Sequence, residues 1–212
     1  MKNKTLIATA TVFVSLFTSK AQNNLDLSTD NLMVVNRDIG ASEENIKSTL
    51  TLTNKMGDGM AILKNESFVT GAIDLDIKGE NNPGKSFVGV AFNIQNDSTY
   101  EAIYFRPFNF KSDELIRREH SLQYISHPKN TWRYLRTNHE GIYEAEYTNA
   151  PSPDDWFSII IKITEDHVYV YDKKTNTELL HVNRLEKQVS DKIGLWSGFN
   201  SKGAYRNVKL LE

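Results

Sequence analysis

The chain contains no cysteine and almost no excess charge, and each absence narrows what it can do. Without cysteine there are no disulfides, no thiol chemistry and no lipid-anchored cysteine at a mature N-terminus. The formal net charge is −2, from 25 Lys and Arg against 27 Asp and Glu, so no basic field marks a surface for a nucleic-acid backbone. We therefore expect a fold held by its apolar core alone, with no nucleic acid among its partners.

Metal-binding motifs are also missing. The chain has 5 histidines, and none shows the H-x-x-x-H or H-E-x-x-H spacing of a zinc site. Acidic turns near Asp97 and Asp166 could supply oxygen ligands to a structural calcium ion, although acidic turns more often serve only as turns. The sequence therefore predicts no metal centre and no other cofactor, and it leaves a structural calcium ion open.

One apolar run stands apart at the N-terminus. Residues 6–17 follow two lysines and precede a small-x-small ending at residues 19–21. This is the pattern of a secretory signal peptide, and the run is short for a membrane anchor. We expect residues 1–21 to be cleaved and residues 22–212 to form a single domain, secreted or periplasmic, with no membrane insertion.

From residue 49 onward, apolar and polar residues alternate with a period of two, and no segment shows a sustained helical stripe. Polar turns separate the alternating segments, which favours an antiparallel sandwich or barrel. Residues 113–119 and 183–190 could each form a short turn of helix. The predicted strands are 49–53, 72–78, 87–95, 101–108, 121–126, 156–164, 167–172, 192–199 and 204–211.

The alternation also predicts which side chains of a strand face the core. In FVGVAFNIQ, the apolar phase should enter the core and the other phase should form a small, open face. The predicted core residues are Val88, Val90, Phe92 and Ile94, and the residues of the open face are Gly89, Ala91 and Asn93.

The stretch YEAIYFRPFNF, residues 100–110, contains a permanent charge in the most aromatic part of the chain. Alternation places Ile103 and Phe105 in the core and sends Tyr104 and Arg106 to the other face. Burying a guanidinium costs free energy unless an anion or hydrogen-bond acceptors pair with it. Because the strand phase directs Arg106 away from the core, we expect it to serve as a fixed hydrogen-bond donor in a polar site.

Two further strands contribute to the same predicted face. In KIGLWSGF, Ile193 and Leu195 should point inward, which leaves Trp196 outward between two glycines with space over its ring. In SLQYIS the phase is ambiguous, so either Gln123 or Tyr124 faces outward.

The segment of residues 116–138 combines four arginines with histidines and aromatic residues. Solvent-exposed arginines would explain part of this composition. The segment also fits the rim of a ligand site, formed by aromatic residues and arginines beside the strand that carries Tyr104. Aromatic faces stack on sugars, and planar donors fix hydroxyls or carboxylates, so such a rim would suit an acidic sugar. Treated as a strand, WRYLR places Trp132 and Tyr134 in one phase, and Trp132 is slightly favoured as the ligand contact.

Four stretches together resemble the concanavalin A-like lectin/glucanase jelly roll: GAIDLDIKG, SFVGVAFNIQNDSTYEAIYFRPFNF, WFSIIIKITEDHVYVYDKKTNTELL and DKIGLWSGFNSKGAYRNVKLL. The last is similar to the end of laminin-G-like and 3-keto-disaccharide hydrolase-like domains. The resemblance covers roughly residues 49–211. It implies an all-β, two-sheet antiparallel jelly-roll sandwich whose concave sheet carries the ligand site.

The resemblance is less informative about activity, because this fold hosts lectins, glycosidases and adhesion modules. The family 16 glycoside hydrolases carry E-x-D-x-x-E or E-x-D-x-E on one strand. Here AIDLDIKGE has Ala72 in place of the first glutamate, and two aspartates alone are a poor match to retaining hydrolysis. We interpret Asp74 and Asp76 as a solvated strand face.

The sequence thus predicts a carbohydrate-binding or glycan-interaction module. The ligand-binding candidates are Asn93, Tyr104, Arg106, Arg118, His120, Gln123, Tyr124, Trp132 and Trp196. An alternative is an enzyme that cleaves glycosidic bonds, like the 3-keto-disaccharide hydrolase-like domains, with His120 or Glu101 as proton donor. A third possibility is a structural domain in which Arg106 pairs with Glu101 or Glu119.

Overall fold

Two antiparallel β-sheets pack face to face in the computed structural model, which describes residues 23–41 and 48–211. This confirms the predicted all-β, two-sheet sandwich. The predicted signal peptide, residues 1–21, lies outside the described residues. None of the described helices is long and apolar enough to cross a membrane.

The chain crosses several times between a seven-stranded and a six-stranded sheet. In spatial order, the seven-stranded sheet contains β1 (Leu32–Val35), β3 (Gly59–Leu63), β12 (Gly194–Ser197), β5 (Val88–Asn96), β6 (Thr99–Phe105), β7 (Leu122–His127) and β8 (Glu144–Ala145). The six-stranded sheet contains β11 (Thr177–Asn183), β10 (His167–Asp172), β9 (Phe157–Ile163), β4 (Gly71–Lys78), β13 (Gly203–Leu211) and β2 (Thr49–Leu52). Two short α-helices, α1 (Leu115–Glu119) and α2 (Trp132–Asn138), and two 3₁₀ turns, Thr29–Asn31 and Pro107–Asn109, complete the described elements.

The main core lies between the sheets, where the alternating apolar residues of both meet. The predicted inward phase is confirmed on three strands of the seven-stranded sheet and on the residue before β12. These core residues are Val88, Val90, Phe92, Ile103, Phe105, Ile193 and Leu195. A second apolar cluster covers the outer face of the same sheet and includes Ala91, Ala102, Tyr104, Ile125 and Trp196.

The predicted phase of β5 is wrong at its end. Asn93 has a positive φ of 50°, and the pairing of β5 with β6 shifts register between Phe92 and Asn96. The extra residue reverses the phase, as at a β-bulge. Ile94 therefore joins the outer cluster, and Asn93 does not lie on the outer face.

Gly89 was predicted to leave open space on the outer face. In the structure it instead lies in close contact with the backbone of the neighbouring strand β6. A Cβ atom at this position would lie 2.0 Å from the Ile103 carbonyl oxygen and 2.6 Å from Tyr104 Cα. Glycine therefore allows β5 and β6 to approach closely beneath the outer cluster.

The ambiguous phase of β7 is resolved in favour of Leu122 and Tyr124, which enter the main core. Gln123 and Ile125 consequently face outward, beside Tyr104 on the neighbouring strand. The outer face thus receives Gln123 and not Tyr124.

Sequence periodicity missed several elements. β3, β8 and β11 were not predicted as strands, and β1 lies in the segment 23–48, where an entry strand was expected without bounds. The WRYLR segment belongs to helix α2 and not to a strand. No helix forms at 183–190, while the helix expected within 113–119 exists as α1.

Asp74 and Asp76 lie on the outer face of the six-stranded sheet, away from the outer cluster. They are almost buried and paired, contrary to the solvated face predicted for them. Asp74 accepts from Lys173 Nζ at 2.6 Å, and Asp76 accepts from Ser158 Oγ at 2.6 Å and Asn207 Nδ2 at 2.7 Å. Their carboxylates join neighbouring strands of this sheet.

Candidate ligand cleft

A cleft of about 680 Å³ opens on the outer face of the seven-stranded sheet. Its floor is formed by Tyr104 of β6, Ile125 of β7 and Trp196 of β12, which adjoin because these strands belong to one sheet. The Tyr104 and Trp196 rings lie 5.1 Å apart between centroids. The floor is therefore apolar and aromatic, as in many small-molecule sites.

Arg106 lies at one end of this floor, directly after the last residue of β6. Its guanidinium donates to the His120 carbonyl at 2.7 Å, the Tyr104 hydroxyl at 2.7 Å and Gln123 Oε1 at 3.1 Å. The group also lies 4.9 Å from the Tyr104 ring centroid and 5.9 Å from that of Phe87. These contacts fix its position in the cleft wall.

The charge of Arg106 has no counter-charge in contact. The residue is only 5% exposed, and no carboxylate of residues 23–41 or 48–211 lies within 4.0 Å of its guanidinium. The expected pairing with Glu101 or Glu119 is therefore wrong. Burial lowers the pKa of Arg106, and this effect outweighs the opposing influence of Tyr104 and of the Glu144 carboxylate.

Helix α2 forms the rim above the floor. Thr131 caps its N-terminus by accepting from the Tyr134 backbone N–H at 3.3 Å, and buried Leu135 anchors it to the sheet. Trp132 lines the cleft and is 40% exposed, whereas Tyr134, 46% exposed on the same helix, is not part of the lining.

Two arginines of α2 flank the exposed indole. The guanidinium carbons of Arg133 and Arg136 lie 5.3 Å and 5.2 Å from the Trp132 ring centroid, within the range of cation–π contacts. Both arginines line the cleft. The rim therefore combines a flat apolar surface with positive charge.

Glu144 of β8 holds the rim to the sheet edge. Its carboxylate accepts from Arg136 Nη2 at 2.7 Å and Nε at 3.0 Å, which is a bidentate pair. His120 Nε2 lies 3.3 Å from Glu144 Oε1, and His120 lines the cleft. Arg136 is thus neutralised by Glu144, and His120 is oriented by the same carboxylate.

The opposite end of the cleft is built around Asp58, in the GDG turn before β3. Its carboxylate accepts from the Tyr100 hydroxyl at 2.9 Å, and Tyr100 in turn accepts from Trp196 Nε1 at 3.2 Å. His127 stacks against Tyr100 with 5.1 Å between ring centroids, and exposed Phe199 closes this end. The two ends of the cleft therefore differ in charge.

Five of the sequence candidates line the cleft together: Tyr104, Arg106, His120, Trp132 and Trp196. Gln123 lies immediately behind the wall and holds Arg106. The Trp196 ring does not have the open space expected for it, because Gly198 lies over it so closely that a Cβ atom there would be 2.5 Å from the ring.

Three other candidates lie inside the sandwich, on the other side of the sheet. Glu101 accepts from Arg184 Nη2 and Asn93 Nδ2, both at 2.8 Å, and from the Tyr124 hydroxyl. This buried cluster ties β5, β6 and β7 to the segment at 184–190, because Leu185 N donates to the Tyr124 hydroxyl. Asn93 and Tyr124 are therefore not on the predicted face, and Glu101, the candidate proton donor, lies on the opposite side of the sheet from the cleft.

Arg118 was expected at the rim but does not line the cleft. Its guanidinium donates to Glu146 Oε1 at 2.9 Å and to the Ser112 carbonyl at 2.8 Å. It holds the segment of α1 in place instead.

Several lining residues carry no specific signal in the sequence: Asp58, Phe87, Phe108, Asn109 and Phe199. They come from loops between strands, so no periodicity connects them. The Pro107–Asn109 turn could have been suspected, because its proline follows the cleft arginine and proline favours the first position of such a turn.

Burial lowers the pKa of both cleft histidines, His120 and His127. Because each pKa in the folded state lies below the ordinary value of about 6.5, the unfolded chain binds protons more readily near that pH. We expect the melting temperature to fall as the pH decreases from 7 to 5, with part of this fall absent from the His120→Gln/His127→Gln variant. Thermal unfolding followed by circular dichroism tests this, and identical pH profiles for the two proteins would contradict it.

Over 23–41 and 48–211, no group of three or more histidine or acidic side chains converges on one point. Calcium also binds carbonyl oxygens and water, so the structural calcium ion at the Asp97 or Asp166 turn stays a prediction.

The sequence matches no protein-family model and no curated protein, whereas the fold has solved counterparts. A carbohydrate-binding module from Bacillus subtilis, CBM66, is 10% identical, with a TM-score of 0.59 over 86% of this chain and 96% of that one. A Bacillus subtilis protein with a galectin-like fold is 13% identical, with a TM-score of 0.57 over 89% of this chain and 93% of that one.

The exoplasmic/lumenal domain of VIP36, in its form bound to Ca²⁺ and Man3GlcNAc, is 10% identical, with a TM-score of 0.55 over 90% of this chain and 86% of that one. Identities this low show shared architecture and nothing finer. The chain therefore has a lectin-like, concanavalin A-like β-sandwich fold.

Proposed function

We propose that this protein binds a glycan in the cleft on the outer face of its seven-stranded sheet. The observation that carries the proposal is the exposed indole of Trp132, held at the rim above an aromatic floor. Sugar rings have apolar C–H faces that stack on aromatic rings, while their hydroxyls need fixed polar partners. The cleft supplies both, with Arg106, Asn109 and Asp58 among its polar groups.

The similar solved structures support the proposal. CBM66 is a carbohydrate-binding module, and the VIP36 domain is in a mannose-containing glycan complex. The predicted leader at residues 1–21 supports a secreted or periplasmic location for a single domain of residues 22–212, where such a module would meet external glycans.

Replacing Trp132 with alanine tests the proposal. We expect Trp132→Ala to weaken binding to any glycan captured by the wild type roughly 30-fold, because central aromatic contacts contribute about 2 kcal/mol or more. A glycan array identifies the ligands, and calorimetry measures their affinities.

Tyr134→Ala provides the matched control. Tyr134 is an aromatic residue of similar exposure on the same helix, but it lies outside the cleft lining, so its loss should leave affinity unchanged. Equal effects of the two substitutions, or no binding to any glycan by the wild type, would contradict the proposal.

Glycosidic bond cleavage is the second candidate, and His120 is the observation that favours it. The ring lies in the cleft with Glu144 beside it, and burial lowers the pKa of His120. The neutral imidazole that this favours suits a general base and not the proton donor predicted from the sequence. An enzyme would release reducing ends or a keto-sugar from the bound glycan, and His120→Gln would abolish the release while preserving binding. Glu101 is a poor proton donor to a cleft ligand, because it lies on the opposite side of the sheet.

A further inference from the structure

We infer that the bound sugar is acidic, and that its carboxylate or sulfate group sits against Arg106. This inference rests on the proposed function, because it names the chemical class of the ligand in the same cleft. It is carried by the environment of one side chain, a nearly buried guanidinium whose protein partners are all uncharged.

Other arginines show how this chain normally compensates positive charge. Arg184 pairs with Glu101, Arg136 pairs with Glu144 and Arg118 pairs with Glu146, at 2.7 to 2.9 Å. Arg106 instead donates to a backbone carbonyl, a phenol and an amide. Its charge has been removed from water without an anion in direct contact, which is costly unless a ligand supplies one.

Arg37 is the useful comparison, because it is also almost buried and has no carboxylate ion pair within the described chain. Its guanidinium donates to four backbone carbonyls, of Asn36, Gly57, Ser197 and Gly198, and it does not line the cleft. Arg37 therefore fastens loops together. Arg106 has three hydrogen bonds for its five N–H groups, only one of them to a backbone carbonyl, and it borders an open cavity.

The charges around the cavity agree with an anionic ligand. The lining contains Arg106, Arg133 and Arg136 against Asp58. Because Glu144 neutralises Arg136, the excess positive charge is that of Arg106 and Arg133, although the whole chain is slightly negative. Asp58 lies at the end away from Arg106, beside Tyr100 and His127. Glu144 lies near the positive end, but it is bound by Arg136 and His120. A ligand oxyanion is therefore favoured at the Arg106 end.

The surroundings of Arg106 also suit a sugar more than a free ion. The guanidinium lies 5.9 Å from the Phe87 ring centroid and 4.9 Å from that of Tyr104, so it adjoins aromatic surface. Nη2 already donates to Tyr104 and Gln123, so a ligand oxyanion would accept from the remaining N–H groups on Nε and Nη1, while the attached sugar ring rests on the neighbouring aromatic groups. Carboxylate and sulfate share this chemistry.

The test compares defined oligosaccharides by calorimetry: an oligouronate, its methyl ester and a sulfated oligosaccharide of equal length. The ester removes the charge and keeps the ring, so it is the matched neutral ligand. We expect the wild type to bind one of the two acidic ligands at least 10-fold more tightly than the ester, with affinity that falls as salt increases. The preferred acid identifies whether the group is a carboxylate or a sulfate.

Arg106→Met should abolish this preference and reduce acidic-ligand affinity roughly 10- to 100-fold, as expected for loss of a charged hydrogen bond. Arg106→Lys retains the positive charge and should keep part of the preference for the acidic ligand. This variant serves as the control in case Arg106→Met fails to fold. Arg117→Met, at an exposed arginine outside the cleft, should change nothing.

The outcomes separate the two proposals. Equal binding of ester and acid by the wild type, or a preference that survives Arg106→Met, would overturn the inference and leave glycan binding intact. Failure of the wild type to bind any of these ligands or any glycan on the array would overturn both.

Discussion

Arg184→Met is expected to lower the free energy of unfolding by about 3–5 kcal/mol. The side chains of Arg184 and Glu101 are only 2% and 1% exposed, and they contact each other at 2.8 Å. Removing the guanidinium leaves a buried carboxylate with only the neutral donors Asn93 and Tyr124. An uncompensated buried charge costs far more than the pair contributes.

The measurement is denaturant unfolding followed by tryptophan fluorescence. Arg117→Met is the matched control, because the Arg117–Glu114 pair is half exposed and should contribute less than about 1 kcal/mol. Glu101→Leu combined with Arg184→Met removes both charges and should recover part of the lost stability. A loss for Arg184→Met no larger than that of the control would contradict the assigned role.

Phe105→Ala is expected to lower the free energy of unfolding by a similar amount, about 3–5 kcal/mol. Phe105 is fully enclosed between the sheets, with ring centroids 5.0 Å from Phe157 and 5.9 Å from Tyr147. Truncation removes these contacts and leaves a cavity between elements that other strands hold apart. The neighbouring residue is Arg106, so this packing also supports the cleft wall.

Phe199→Ala is the control for this substitution. Phe199 is half exposed at the end of the cleft, and its truncation should change unfolding by less than about 0.5 kcal/mol. The same denaturant measurement applies. A loss for Phe105→Ala below about 1 kcal/mol would show that the aromatic cluster relaxes to fill the space.

The strand alternation was sufficient to place Tyr104, Arg106 and Trp196 on one face. Side-chain direction in a strand has a period of two, which depends only on local backbone geometry and can be read along the chain. For the same reason, the inward residues of β5, β6 and β12 were predicted correctly up to Phe92. The sandwich follows from many such strands without a helical layer.

The prediction failed where the backbone departs from this period. The positive φ of Asn93 reverses the phase, and it moves Asn93 from the predicted face into the cluster of Glu101. Helix α2 was missed because it is short and shows one buried anchor, Leu135, which is too little for a helical stripe.

Several polar and charged partners could not be predicted, because they join residues distant in the chain. Glu101 and Arg184 are 83 positions apart, and Asp58 and Tyr100, which share a hydrogen bond, are 42 positions apart. Pairing between strands and the path of loops bring them together, and neither leaves a local pattern. Sequence alternation therefore established that Arg106 faces outward beside Tyr104. Packing of the sheet, α2 and the loops determined that this charge lies in a cleft without a protein counter-ion.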